Sequence, residues 1–123
     1  MAMRLRFLGS GNAFTVGDGN WQSNMLIESK DGRRLLVDCG SDARLSLAEQ
    51  GLGATDIDAV YVSHLHSDHI GGLEWLGFST FFNPAAGRPR MFVEQNRVAR
   101  LWASSLSGSM SRSGMAKLED YFA

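Results

Sequence analysis

The sequence predicts an α/β fold, and three observations carry that prediction. Short apolar runs of strand length alternate with apolar stripes at helical spacing. An Asp-Gly dipeptide joins two of the runs, and all three histidines of the 123-residue chain follow directly on another. A hydrophobic fraction of 44% and a charged fraction of 20% are those of an ordinary globular chain, long enough to bury a core and short enough for one domain at most. The net charge of −1 creates no global field that would favour nucleic acid or an anionic membrane. Cys39 is the single cysteine, which excludes an internal disulfide and fits a reducing compartment. The apolar run after Arg4 and Arg6 is broken at Gly9, Ser10 and Gly11, so it does not read as a signal peptide. No stretch approaches transmembrane length, so the expected setting is the cytoplasm, with no membrane partner.

The elements follow in order. Met3, Leu5 and Phe7 alternate with Arg4 and Arg6, predicting a first strand with one buried face. Gly9 to Asn20 is glycine-rich and aperiodic, a loop. Strands over about 23–29 and 33–38 flank Asp31-Gly32, a dipeptide suited to the positive φ of a hairpin turn. Ser41 or Asp42 caps a helix whose Leu45, Ala48 and Leu52 share a face, ending near Gly51. "AVYV" at 59–62 reads as a buried strand. A helix opening at Gly71-Gly72 carries Leu73, Trp75, Leu76, Phe78 and Phe82, "RMFV" is a further strand, and Val98, Leu101 and Trp102 mark another helix. These stripes read as core. Ser104 to Gly114 is Ser/Gly-rich and is expected to be a flexible loop. Six cations (Arg88, Arg90, Arg97, Arg100, Arg112, Lys117) against Glu94 alone mark 84–118 as solvated surface or, alternatively, a phosphate-facing patch.

The chemistry lies in His64-Leu65-His66-Ser67-Asp68-His69, just after the 59–62 strand. Imidazole nitrogens and a carboxylate suit zinc, with manganese or iron as alternatives. In an extended segment His64 and His66 point the same way and can share one cation. Asp68 and His69, around the turn, can reach a second. Two cations at about 3.5–4 Å can hold a hydroxide and neutralise charge on a phosphoryl or carbonyl oxygen.

"HLHSDH" matches the His-x-His-x-Asp-His signature of the metallo-β-lactamase superfamily. "RLRFLGSGNAF" resembles the opening strand and loop of its branch containing ribonuclease Z and related phosphodiesterases. "LLVDCGSDARLSL" and "DIDAVYVSHLHSDHIGGLEWL" look like that branch's Asp-Cys-Gly strand end and its strand, metal loop and helix. The resemblance implies the αββα sandwich of the metallo-β-lactamase fold, of which residues 1–123 would be the N-terminal half of a single domain. It implies His64 and His66 on a first metal, Asp68 and His69 on a second, and Asp68 as the catalytic residue that orients the attacking water or takes its proton. Asp38 would hold the metal loop by hydrogen bonds, and Cys39 would be a small buried residue. A complete site of this family adds two later histidines and a bridging aspartate, and here no histidine follows His69.

The expected function is therefore that of a metal-dependent hydrolase acting on phosphodiesters, an RNA or a cyclic nucleotide, through a hydroxide activated by two zinc ions. The alternative is a truncated, non-catalytic fragment that acts only by association or has no activity alone. In either case the expected partner is the missing C-terminal half or a second copy of the chain, meeting an apolar surface that half a sandwich leaves uncovered.

Overall fold

The computed structural model describes residues 3–16, 19–83, 85–112, 114 and 117–123. Strands β1 (Met3–Phe7), β2 (Met25–Ser29), β3 (Arg34–Val37), β4 (Ala59–Val62) and β5 (Arg90–Val93) form one sheet in chain order. The first two pairings are antiparallel and the last two parallel. The change of sense follows from the connections. A tight hairpin can only reverse the chain, whereas α1 (Ala43–Glu49) and then α2 (Ser67–Ile70) with α3 (Leu73–Phe81) form the crossovers that parallel neighbours need. In the hairpin Gly32 alone takes a positive φ, 89°, its N–H donating to Ser29 C=O at 3.1 Å; Asp31 does not share that conformation.

Period-two alternation divides the sheet into two faces. Leu26, Leu36 and Val60 are paired in register across three strands and lie fully buried beneath the helices, with Val62 beside them. On the opposite face a row runs Phe7–Met25–Val37–Tyr61–Phe92 across all five strands. That face is uncovered: Met3, Leu5 and Phe7 are 62%, 52% and 70% exposed, and Tyr61 and Phe92 are 46% and 45%. The expectation that β1 buries Met3, Leu5 and Phe7 is thus corrected. Its alternation is real, but the helices cover the side carrying Arg4 and Arg6.

Those arginines bury a carboxylate. Glu28 sits between Arg4 and Arg34 in cross-strand register and is nearly inaccessible. Arg6 Nε donates to it at 2.7 Å, Arg34 Nε at 2.9 Å and Arg4 Nε at 3.2 Å. The Arg6 guanidinium, helped by Arg34 and Arg4, holds the Glu28 carboxyl at about 2, below the ordinary 4.5.

The helices depart from expectation in two places. In α1 the buried residues are Ala43, Ser46 and Leu47, while Leu45 and Ala48 face solvent. Asp42 is its N-cap residue but makes no side-chain cap bond, because its Oδ2 accepts from the Gln22 N–H instead. The Ser/Gly-rich stretch is helical as far as Met110, where a loop was expected, and Ser111, Arg112 and Gly114 are not helical. α4 (Gln95–Arg100) runs through a π-helical segment (Leu101–Leu106) into α5 (Ser107–Met110). Burial of Leu101, Leu106 and Met110 outweighs the low helix propensity of Ser104, Ser105, Ser107 and Gly108. Ser113 of that stretch, and residues 17 and 18 of the Gly9–Asn20 loop, lie outside the described residues.

Leu73, Leu76 and Leu101 are fully buried as core, whereas Phe82 is 60% exposed. Tyr121 and Phe122 join the core, the Tyr121 hydroxyl donating to Met110 C=O at 2.7 Å. Among the described residues no helix is long and apolar enough to cross a membrane.

Glu28→Gln is expected to destabilise the chain by about 1–2 kcal/mol at neutral pH, because three partly exposed guanidiniums lose their shared anion. A carboxyl held at about 2 contributes stability above 4.5 that disappears as pH falls through about 2. Urea unfolding of both proteins should therefore show the difference closing across that window. A difference independent of pH would refute the ionic role.

Candidate metal centre

The site is built where two strands end. β4 stops at Val62, and Ser63 to His66 continue extended, His66 at φ −85° and ψ 154°. The chain then makes the single turn of α2, closed by His69 N–H and Ile70 N–H on His66 C=O at 2.8 and 2.9 Å. His64 and His66 thus lie on the extended arm, and Asp68 and His69 on the turn. The His64 ring is central: its centroid lies 4.8 Å from that of His66, edge-on, and 3.8 Å from that of His69. His66 is exposed, while His64, Asp68 and His69 are half-buried.

From the neighbouring strand end, Asp38 reaches under this loop. Its Oδ1 accepts from Ser63 N–H at 2.7 Å, and its Oδ2 from the Ser63 hydroxyl at 2.6 Å and from His69 Nδ1 at 2.7 Å. The backbone of Asp38 is left-handed, φ 64°, a conformation that costs a non-glycine residue energy and persists where its surroundings over-determine it.

The loops at the ends of β3 and β4 are then stitched backbone to backbone. Cys39 N–H donates to His69 C=O at 2.9 Å, Gly72 N–H to Cys39 C=O at 2.8 Å and Ser41 N–H to Ser67 C=O at 3.2 Å. Glycine is required at two of these approaches: a Cβ on Gly40 would meet Asp68 O at 2.3 Å, and one on Gly72 would meet Gly40 O at 2.4 Å. The fully buried Asn24 spans the seam, accepting from Gly40 N–H at 3.0 Å and donating to Asp68 C=O at 3.1 Å. Cys39 is fully buried against this seam, and burial pushes its thiol well above its ordinary range, so it stays a neutral packing group.

In kind, the donors fit a divalent cation. Both nitrogens of His69 face carboxylates: Nδ1 is 2.7 Å from Asp38 Oδ2 and Nε2 is 3.1 Å from Asp68 Oδ2. A neutral ring has one N–H for these two oxygens. With that hydrogen on Asp38, the Nε2 lone pair faces the Asp68 carboxylate, two donors side by side. In number the set is short. Among the described residues no three His, Cys, Asp or Glu side chains are arranged to hold a metal ion.

Sequence reasoning pointed to His64, His66, Asp68, His69 and Asp38, and the structure brings all five to one place. It missed Ser63 and Asn24. Ser63 adjoins the motif and its hydroxyl is a visible signal, whereas the tie from Asn24 crosses 44 residues of sequence and leaves none.

This geometry and the sheet beneath it define a class, the metallo-β-lactamase fold. The Bacillus subtilis metallo-β-lactamase fold protein YhfI superposes with a TM-score of 0.68 at 26% identity, over 80% of this chain and 39% of its own. A diphosphatase of the PhnP family gives 0.68 at 24%, over 87% and 48%. The short form of human tRNase Z gives 0.59 at 26%, over 71% and 33%. Within that class the family model of the Anti-Pycsar protein Apyc1 matches residues 3–123, and the chain belongs to that family. The Anti-Pycsar protein Apyc1 of Saccharibacillus brassicae is 46% identical over 120 residues, 98% of this chain and 48% of its own length. That of Bacillus phage 010DV004 is 33% identical over 124 residues, with the same two shares. The chain spans about half the length of the relatives it matches.

Asp38→Ala strips the acceptor from three donors and is expected to destabilise the chain by about 2–4 kcal/mol. Asp38→Gly removes the same acceptor but accepts the positive φ without strain, and should cost about 1 kcal/mol less. Equal losses for the two variants in chemical denaturation would show that φ at this position carries no energetic weight.

Proposed function

We propose that the chain is the N-terminal half of a metal-dependent phosphodiesterase, with His64, His66, Asp68 and His69 as its ligands and zinc as the metal, manganese or iron being the alternatives. The observation that carries this is the gathering of three imidazoles and a carboxylate beyond β4, with the Nδ1 of His64 and of His69 already hydrogen-bonded and the Nε2 of His69 set beside the Asp68 carboxylate at 3.1 Å. Two divalent cations, when bound, supply charge neutralisation on a phosphoryl oxygen and activation of water. The chain's own residues do the rest. His64 and His66 bind from the extended arm, and His69 binds from the turn, steered by Asp38. Asp68 orients the attacking water and takes its proton on a carboxylate oxygen.

The names of two structural neighbours, a diphosphatase and a tRNase Z, support a phosphorus centre as the target. The substrate class proposed is a phosphodiester, a cyclic nucleotide or an RNA.

A second reading rests on a separate observation. The Phe7–Met25–Val37–Tyr61–Phe92 row is an apolar face of interface character with no element among the described residues upon it. In the relatives, about twice as long, the remaining segment would cover it and bring the further ligands. For the 123 residues alone, a second copy would cover it, and the product would be a non-catalytic fragment that acts only by association.

Two measurements test these readings. Protein purified without added metal should carry about one or two zinc, manganese or iron ions per chain, by elemental analysis, and Asp68→Ala should lose them. Metal well below one per chain in both proteins would remove catalysis by these residues alone. The chain should also sediment as a dimer or larger, and Phe7→Asp, on the open face, should shift it toward monomer. A monomeric wild-type chain would contradict association through this face.

A further inference from the structure

The hydroxyl of Ser63 lies between two polar groups. It is 2.6 Å from Asp38 Oδ2 and 3.0 Å from His64 Nδ1. A carboxylate can only accept, so at 2.6 Å the single hydroxyl hydrogen points at Asp38. The oxygen then has only lone pairs to offer His64, and His64 Nδ1 must carry a hydrogen to make its contact. The direction of the second bond is therefore fixed by the first.

We propose that Ser63 is a positioning residue that sets the ring tautomer of His64: it relays the acceptor character of the Asp38 carboxylate to His64 Nδ1 and so leaves Nε2 as the lone-pair nitrogen. His69 receives the same instruction directly, its Nδ1 donating to the same carboxylate oxygen at 2.7 Å. One buried acidic group thus orients two imidazoles on opposite arms of the loop, one at first hand and one through a hydroxyl. Asp38 spends Oδ1 on the Ser63 N–H at 2.7 Å and Oδ2 on His69, and the Ser63 hydroxyl carries its influence on to His64.

The backbone at both ends is anchored independently of this relay. Asp38 N–H donates to Tyr61 C=O at 2.8 Å, and the following Cys39 N–H to His69 C=O at 2.9 Å. Loss of the hydroxyl should consequently free the His64 ring without releasing the loop. The inference rests on the metal-site reading above for its functional meaning, although the tautomer itself can be observed without any metal.

The experiment is nitrogen-15 NMR of the imidazole rings in the metal-free chain at about pH 8.5, well above the ordinary histidine range. Wild-type His64 should show a protonated Nδ1 and an unprotonated Nε2. Ser63→Ala should move His64 toward the Nε2–H tautomer that free imidazole side chains favour in water, with the His69 pattern unchanged. Ser63→Thr, which keeps the hydroxyl, should restore the wild-type pattern. An Nε2–H tautomer in the wild-type chain would overturn the proposal without recourse to any variant, as would an Nδ1–H tautomer that survives in Ser63→Ala.

A zinc titration of the same proteins separates this inference from the functional reading. Ser63→Ala should bind zinc about tenfold more weakly than wild type, and Ser63→Thr as wild type does. No zinc binding by any of them, beside the expected tautomers, would refute the metal site and leave the relay standing. Equal zinc affinity in wild type and Ser63→Ala, with the tautomer switched, would overturn the claim that Ser63 positions a ligand.

Discussion

The Asp38 carboxylate is the constraint on which the rest of the site depends. It takes three hydrogen bonds at 2.6–2.7 Å from two residues of the adjoining loop, and those donors have no other acceptor of comparable strength. A largely buried carboxylate group is unfavourable without partners, so it demands those donors as strongly as they demand it. The left-handed backbone at Asp38 is how the side chain reaches them. Straightening it would send the carboxylate away from Ser63 and leave Gly40 out of register with Asn24 and Asp68. A strained backbone, a buried charge and a histidine-rich loop are therefore one structure, and none of the three would be stable without the other two.

The sheet places this site and separates it from two other chemistries. Its carboxyl edge at β3 and β4 carries the histidine loop. On the helix-covered face the apolar row gives way, toward the hairpin, to Glu28 with its arginines, which lets β1 present charge along its edge while Arg6 reaches Gln50 at 2.9 Å. Charged residues on an edge strand oppose further strand addition, so the pairing of sheets edge to edge is disfavoured. The other face carries an apolar row across five strands, with the Arg90 guanidinium stacked 5.3 Å from the Phe92 ring at its β5 end. At β1 the sheet is therefore better suited to a face-on than to an edge-on contact, which is the geometry of a sandwich.

How much of this was legible depended on whether the signal was local. The hairpin, the strand Ala59–Val62 and the helix after Gly72 are each encoded within a dozen residues, and each formed close to where periodicity put it. Alternation in β1 was legible but its sense was not. A strand of Met, Arg, Leu, Arg and Phe buries its apolar side only if something lies against it, and here the helices lie on the other side, where Glu28 makes the arginines welcome. The stretch Ser104–Met110, expected as loop, departs for the same reason in reverse. Its serines and glycine argue locally for a loop, and only the distant Tyr121 and the apolar core it joins hold it helical. That the five expected site residues lie together was legible because four of them fall within six positions of the sequence and the fifth ends the neighbouring strand. Asn24 was not, because its partners arrive from two other segments.

The same distinction bears on what half a domain can do. Among the described residues the hydrogen bonds made directly to the loop and its seam include Asn24 to Gly40 and Asp68, Asp38 to Ser63 and His69, and Cys39 to His69 and Gly72, all between residues 24 and 72. The rings of His64 and His69 are thus oriented by described residues of this chain, whereas His66 is exposed. The donors are also too few, since no three are arranged for one ion among the described residues. On the proposed metal-site reading, donors already held in place would have little conformational entropy left to lose, so a covering segment that brought further ligands would spend its binding energy on closure and not on ordering the loop. Covering the apolar row and completing the ligand set would then be one event, because the Phe7–Met25–Val37–Tyr61–Phe92 row lies at the same end of the sheet as Asp38 and Ser63.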